Sequence, residues 1–179
     1  MGRKDRIRIF VTNLSQYVAG CLVGEHVELP IPWDKFQEVR NRIGIDEQHE
    51  EYFISDYDSL FSNLHISEFS SIAELNELAE RIEELADFDY DKLGAVLESE
   101  SSMTIAGILE IIDELDSFDL LDGIDTDYAI GEYFAEVGDL LHGIPDHIQR
   151  YFDFECYGRD IRLELNTCLT SYGLVIDNR

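Results

Sequence analysis

The residues of this chain best able to do chemistry are its acids: 39 Asp and Glu stand against 13 Lys and Arg in 179 residues. Asp87, Asp89, Asp91 and Glu98 fall at positions 1, 3, 5 and 12 of an EF-hand calcium loop. The sixth position of such a loop needs Gly for its sharp turn, and Lys92 stands there. The ninth is Ala95, which has no oxygen to offer. The segment reads instead as a helix start charged by its Asp residues. Asp119, Asp122, Asp125 and Asp127 gather around Gly123 with a spacing that fits no known metal loop. They read as a solvated turn followed by a helix cap. The five histidines (His26, His49, His65, His142, His147) are scattered and include no His-Glu-x-x-His. No nucleophile elbow, P-loop or dinucleotide fingerprint occurs. With so many acids some carboxylate pair always faces another, so a paired-carboxylate hydrolase has no specific support. No enzyme, no metal and no cofactor are expected.

The chemistry left to the carboxylates is collective. The net charge is -26, and it is unevenly placed. Residues 1–50 hold eight acids and seven bases, whereas residues 51–179 hold 31 acids and six bases. Between Ile82 and Gln149 there are 19 acids and one base, Lys92. Nucleic-acid binding is disfavoured, because it needs clustered Lys and Arg to displace counterions. A surface of this sign suits a basic partner. Duplex DNA carries one charge per about 1.7 Å of axis, so 26 charges match roughly 44 Å of duplex. Carboxylates three and four residues apart on a helix have Cβ atoms about 5–6 Å apart, and side-chain spread widens that toward phosphate spacing. Such rows are Glu77, Glu80 and Glu84; Glu110, Asp113 and Glu114; and Glu132, Glu136 and Asp139. Glu74, Glu83, Asp87, Asp122 and Asp125 extend the same candidate DNA-mimic surface. On charge alone, plain acidity, as in a salt-adapted protein, is favoured over mimicry. An acidic adaptor for a nucleoid or regulatory factor is the alternative function.

The elements that must carry these acids are legible in the hydropathy pattern. Ile7–Thr12 reads as a strand, and a second lies within Val18–Leu29, where Gly20 and Gly24 permit a bulge or close approach. Trp33–Ile43 has a helical period with Gly44 as its stop, and Glu51–Asp56 alternates as a third strand. Ser71–Ala86 is the clearest helix, with Ser71 and Glu74 as a capping box. Its apolar stripe is Ile72, Leu75, Leu78, Ala79, Ile82 and Leu85. Asp89–Glu98 and Thr104–Leu115 follow as helices, so the middle of the chain is helical. Ser117–Leu121 reads as a strand, Asp127–Leu141 as a helix, and Pro145–Tyr151 as a short helix with Pro in its first turn. Ile161–Leu165 and Gly173–Ile176 read as the strands of a hairpin. The fold class is α+β, in three small parts along the chain. These are an α+β domain with a small antiparallel sheet at 1–67, a helical middle at 68–101, and an α+β domain at 102–179.

Three well-separated cysteines (Cys21, Cys156, Cys168) argue against a disulfide framework or a zinc site. The start lacks a signal-peptide pattern, Arg6 stands where myristoylation wants Ser or Thr, and no apolar run reaches 18 residues. The expectation is a soluble cytoplasmic protein with no membrane partner. Ten Phe and nine Tyr give it enough aromatic material for a core.

The segment Leu140–Asp160 resembles the antirestriction motif of ArdA-type antirestriction proteins, with its core at Tyr151-Phe-Asp-Phe-Glu-Cys-Tyr-Gly-Arg-Asp160. Ile9–Leu14 with Gly20 and Leu22–Gly24, Glu51–Tyr57 and Ser71–Asn76 resemble further blocks of that family in the same order. The resemblance implies an elongated, curved homodimer that joins through its C-terminal domain. It implies inhibition of type I restriction–modification enzymes by occupying the DNA-binding groove of the methyltransferase core. By the same resemblance Tyr151, Phe152, Asp153, Tyr157, Gly158, Arg159 and Asp160 shape or support the dimer contact. The local alternative is that the motif's aromatics are core and that Arg159 pairs with Asp153 or Glu155. Cys156 stands where a small residue such as Ala is usual, a change a buried Cys tolerates as a small hydrophobe. Residues 101–125 match the family poorly.

Overall fold

The computed structural model describes residues 6–46, 51–59, 61, 63–100 and 103–179. His49 and the 101/102 boundary lie outside them. The chain groups into two compact units. The first comprises Met1–Ala86 and Ser102–Ile112, the second Asp87–Ser101 and Asp113–Arg179.

In the first unit, β1 (Arg8–Asn13) is the centre of an antiparallel sheet between β2 (Gly24–Glu28) and β3 (Tyr52–Asp58). Ile9 lies opposite Val27 and Val11 opposite Ile54, and all four are buried, as one apolar face of a pleated sheet demands. The β1–β3 register shifts between Phe10 and Val11. The extra residue is Ser55 of β3, whose Oγ lies 2.6 Å from Oγ1 of the fully buried Thr12. Gly24 lies against the Val11 carbonyl, the close approach its type allows.

Asn13 ends β1 and is fully buried. Its side-chain oxygen accepts from Gln16 N (3.0 Å) and caps α1 (Leu14–Val18). Its amide donates to the carbonyls of Ile43 and Gly44 (3.1 Å each), beyond the end of α2 (Trp33–Arg42). Gly44, at φ 77, turns the chain out of that helix as expected. The strand expected within Val18–Leu29 is shorter than its range. Val18 closes α1, and Val18 and Leu22 are exposed, so only Gly24–Glu28 pairs in the sheet. The first unit also holds α3 (Ile72–Glu84) and α5 (Ile105–Asp113), the latter up to Ile112. Asn76 of α3 accepts from Ile31 N (2.9 Å) and donates to Ile31 O (2.8 Å), fastening the helix to the β2–α2 connection.

In the second unit, β6 (Gly173–Asp177) lies between β4 (Phe118–Asp122) and β5 (Thr167–Thr170), antiparallel to both. Phe118, Leu120 and Val175 share one face, toward which α4 (Asp87–Ser99) turns Leu93, Val96 and Leu97. Leu121, Leu169, Leu174 and Ile176 share the other. There they pack with Ile130 of α6 (Asp127–Val137) and Ile161 of α8 (Phe154–Glu164). Between these helices lies the single turn α7 (Asp146–Gln149), with Pro145 as its N-cap. Glu98 of α4 accepts from Ser171 N (2.9 Å) and Ser171 Oγ (2.6 Å) at the β5–β6 turn.

The chain is mixed α and β with two small sheets. The helices expected in a row at the middle are shared out: α3 and α5 belong to the first unit and α4 to the second. Ile161–Leu165 corrects the expected strand: the helix of the motif continues through Glu164, and the hairpin strand begins at Thr167. Phe154, Gly158 and Ile161 form the inward helical row, but glycine is invisible to an apolar count. The alternation of Ile161, Leu163 and Leu165 misled, since Leu163 is 72% exposed.

Candidate functional site

The fourteen carboxylates assigned to the candidate surface are all exposed. Their positions follow from amphipathicity. On α3, Ile72, Leu75, Leu78, Ala79 and Ile82 are buried, which turns Glu77, Glu80 and Glu84 outward as one row. Ser71 occupies the N-cap, but its exposed hydroxyl makes no capping bond, so the expected capping box is not formed and Glu74 is left outward. On α6, Glu132 and Glu136 lie one turn apart and are exposed, while Ile130 and Ala135 are buried. Asp139 lies past the end of α6 at φ 50, with His142 Nδ1 3.6 Å from its carboxylate. Asp122 and Asp125 flank the turn after β4.

The row Glu110, Asp113 and Glu114 is not one helix face. Glu110 lies on α5, which ends at Asp113, while Glu114 precedes the 3-10 turn Leu115–Ser117 and pairs with Arg179 (3.6 Å). Glu83 pairs with Arg6 (3.3 Å). Apart from these pairs, the Asp139–His142 contact and Asp113, the other ten carboxylates of the set have no ion pair or side-chain hydrogen bond with a described residue.

Lys92 is the decisive cation, being the one base in Ile82–Gln149. It is 8% exposed, and its Nζ donates to Phe118 O (3.2 Å). The segment that resembled a calcium loop is thus the helix α4, with its lysine turned into the fold. Among the described residues no cluster of three or more His, Cys, Asp or Glu could hold a metal. In the nearly neutral N-terminal part the bases meet acids locally: Arg42 with Glu25 (2.7 and 2.9 Å), Lys35 with Glu38 (2.9 Å), and Arg8 with Asp58. Such exposed pairs add little stability, but they cancel the local field.

The motif is built around α8. Asp153 is its N-cap and accepts from Cys156 N (2.9 Å), and these amide bonds hold its carboxyl below the ordinary aspartate range. Cys156 is exposed in the first turn rather than buried, which corrects the expectation that it fills space. Its thiol is pushed up, chiefly by the neighbouring Asp153 carboxylate. Phe152 packs edge-on against Phe154 (centroids 4.9 Å) and Tyr157 (5.5 Å), and Phe154 against Tyr128 (5.5 Å). Arg159 pairs with the adjacent Asp160 (3.5 Å), not with Asp153 or Glu155. Tyr151 is 80% exposed. Gly158 is buried where α6 and α8 cross: a Cβ on it would fall 1.8 Å from Asp127 O and 2.6 Å from Gly131 N.

Two contacts beside the motif escaped sequence reasoning. Asp127, read as part of a solvated turn and cap, is half-buried at the start of α6, where Thr126 is the N-cap, and takes a two-pronged contact from Arg162 of α8 (2.7 and 3.1 Å). Gly131 mirrors Gly158, and a glycine inside each of two helices is the signal that could have found them, because each costs helix stability unless packing needs it.

No helix among the described residues is long and apolar enough to cross a membrane. A family model described as antirestriction protein (ArdA) matches residues 9–176. No curated protein matches the chain. The family match spans both units, the anionic helices and the aromatic motif: the chain belongs to the ArdA family of antirestriction proteins.

Proposed function

We propose that this antirestriction protein works as a DNA mimic, occupying the DNA-binding groove of the methyltransferase core of type I restriction–modification enzymes. The observation that carries the reading is the treatment of charge within Ile82–Gln149: nineteen acids meet one base, and that base is buried. A partner groove lined for phosphates therefore meets a field of one sign. Attraction over such a front gives fast, salt-sensitive association. The exposed aromatic and aliphatic groups about the motif support a homodimer formed through the second unit: Tyr151, Leu163, Val137 and Tyr128 are 80%, 72%, 66% and 50% exposed. Large apolar groups left in solvent mark contact surfaces.

The test is a gel-shift competition with a purified type I methyltransferase and its DNA at low salt. Excess protein should release the DNA. A methyltransferase–DNA complex left intact by excess protein at low salt disposes of the proposal.

A further inference from the structure

The first unit contains a cleft of about 390 Å³, lined by residues of α3 and α5 and by the Ser67–Ser70 turn. Its lining is mostly apolar, from Ile105, Ala106 and Leu109, yet Glu74 and Glu77 also line it. We propose that this cleft receives an arginine side chain from the basic protein that the acidic surface engages, an inference that rests on the proposed DNA mimicry.

Charge and shape both select that occupant. Glu74 and Glu77 stand three residues apart on α3, so their Cβ atoms lie about 5–6 Å from each other. Neither carboxylate pairs with a described residue. A guanidinium presents planar donors in a fork that two carboxylate oxygens accept, and it sheds water more readily than an ammonium. The arginine stem is three methylenes long and buries well against apolar surface while its head stays polar. Ala106 and Leu109 supply that surface. A phosphate pair attracts a cation by charge; the cleft adds a wall for the stem, and so a contact that DNA does not offer.

The walls are held before any partner arrives. Thr104 Oγ1 accepts from Gly107 N (3.2 Å) in the first turn of α5. The Met103 backbone bonds Asn63 O (3.4 Å) and His65 N (3.3 Å), and Asn76 fixes α3. His65 also lines the cleft.

The full-length protein is tested in the DNA-release competition as Glu74→Gln/Glu77→Gln, as Ala106→Trp, which fills the cleft from an exposed position, and as the charge-matched Glu80→Gln/Glu110→Gln. Circular dichroism confirms that each folds. The first two should need at least about tenfold more protein to release DNA, the loss typical of a contact that matters individually. The charge-matched pair should need about twofold more, as exposed charges do. An undiminished Ala106→Trp, or equal losses from the two Gln pairs, overturns the cleft while leaving DNA mimicry standing. If the wild type releases no DNA, mimicry fails, and the cleft is judged by itself with blocked arginine amide as the probe. Saturable methyl shifts at Ile105, Ala106 and Leu109 with the arginine amide, and none with its neutral citrulline counterpart, support the site. Equal shifts with both, or equal shifts with putrescine, overturn the assignment to arginine.

Discussion

Gly158 of α8 rests against Gly131 of α6, with the two backbones so near that a Cβ on Gly158 would lie 2.6 Å from Gly131 N. The reverse substitution is as crowded: a Cβ on Gly131 would lie 1.9 Å from Phe154 O. The invading atom meets backbone, so no rotamer change relieves it. Alanine would gain roughly 1 kcal/mol of helix propensity over glycine. Overpacking of roughly 1–3 kcal/mol, or more against backbone, outweighs that gain. Gly158→Ala and Gly131→Ala should each lower Tm by several degrees in a thermal melt. Melting at or above the wild-type temperature would mean the helices cross less closely than described.

Four residues before Gly131 the same pair of helices is tied by charge, and the tie predicts a pH response. Hydrogen bonding from Arg162 lowers the Asp127 carboxyl below its ordinary value and raises the guanidinium. A lowered folded-state value means that the contribution is complete above the unfolded aspartate range, near pH 3.9. It is lost as pH falls through the folded value. Asp127→Asn should therefore be less stable than wild type at neutral pH and converge with it in acid. Tm measured from about pH 7 to pH 3 checks this, and parallel curves would deny the pair its role.

This crossing also shows where the sequence was readable and where it was not. The stripe Ile72–Leu75–Leu78–Ala79–Ile82 announced α3 because every inward position is apolar, and all five are buried. The inward row of α8 contains Gly158, so its helical period vanished and Ile161–Leu165 took on the look of a strand. Rows of carboxylates survived where one helix carries them, as at Glu77, Glu80 and Glu84. The row at Glu110, Asp113 and Glu114 failed, because α5 stops at Asp113 and nothing in the acids marks the stop. Lys92 was legible only as a count; its burial depends on the carbonyl of Phe118, a residue 26 positions away.

That burial separates stability from binding. In Lys92→Met the apolar stem remains and the bond from the ammonium to Phe118 O is lost, a cost of about 1.5–3 kcal/mol for a hydrogen bond of a charged group. Urea unfolding should show the loss. The DNA-release competition should change little, because the lysine ammonium is turned into the fold and is not presented to a partner. A marked change in competition would mean that Lys92 is presented to the partner rather than to the fold.

Salt should act on the free protein and on its complex in opposite directions. At a net charge of -26 the folded chain repels itself, since compaction gathers carboxylates that the unfolded chain spreads out. At 0.1 M salt the screening length is about 10 Å, and at 1 M about 3 Å. Added NaCl should therefore raise Tm of the isolated protein. The same screening removes the long-range attraction between an anionic surface and a basic groove, so direct binding of the protein to the methyltransferase, without DNA, should weaken over the same range. Melting and direct binding run in parallel across one salt series distinguish this from a surface that acts by apolar contact, whose hold on its partner would survive the salt.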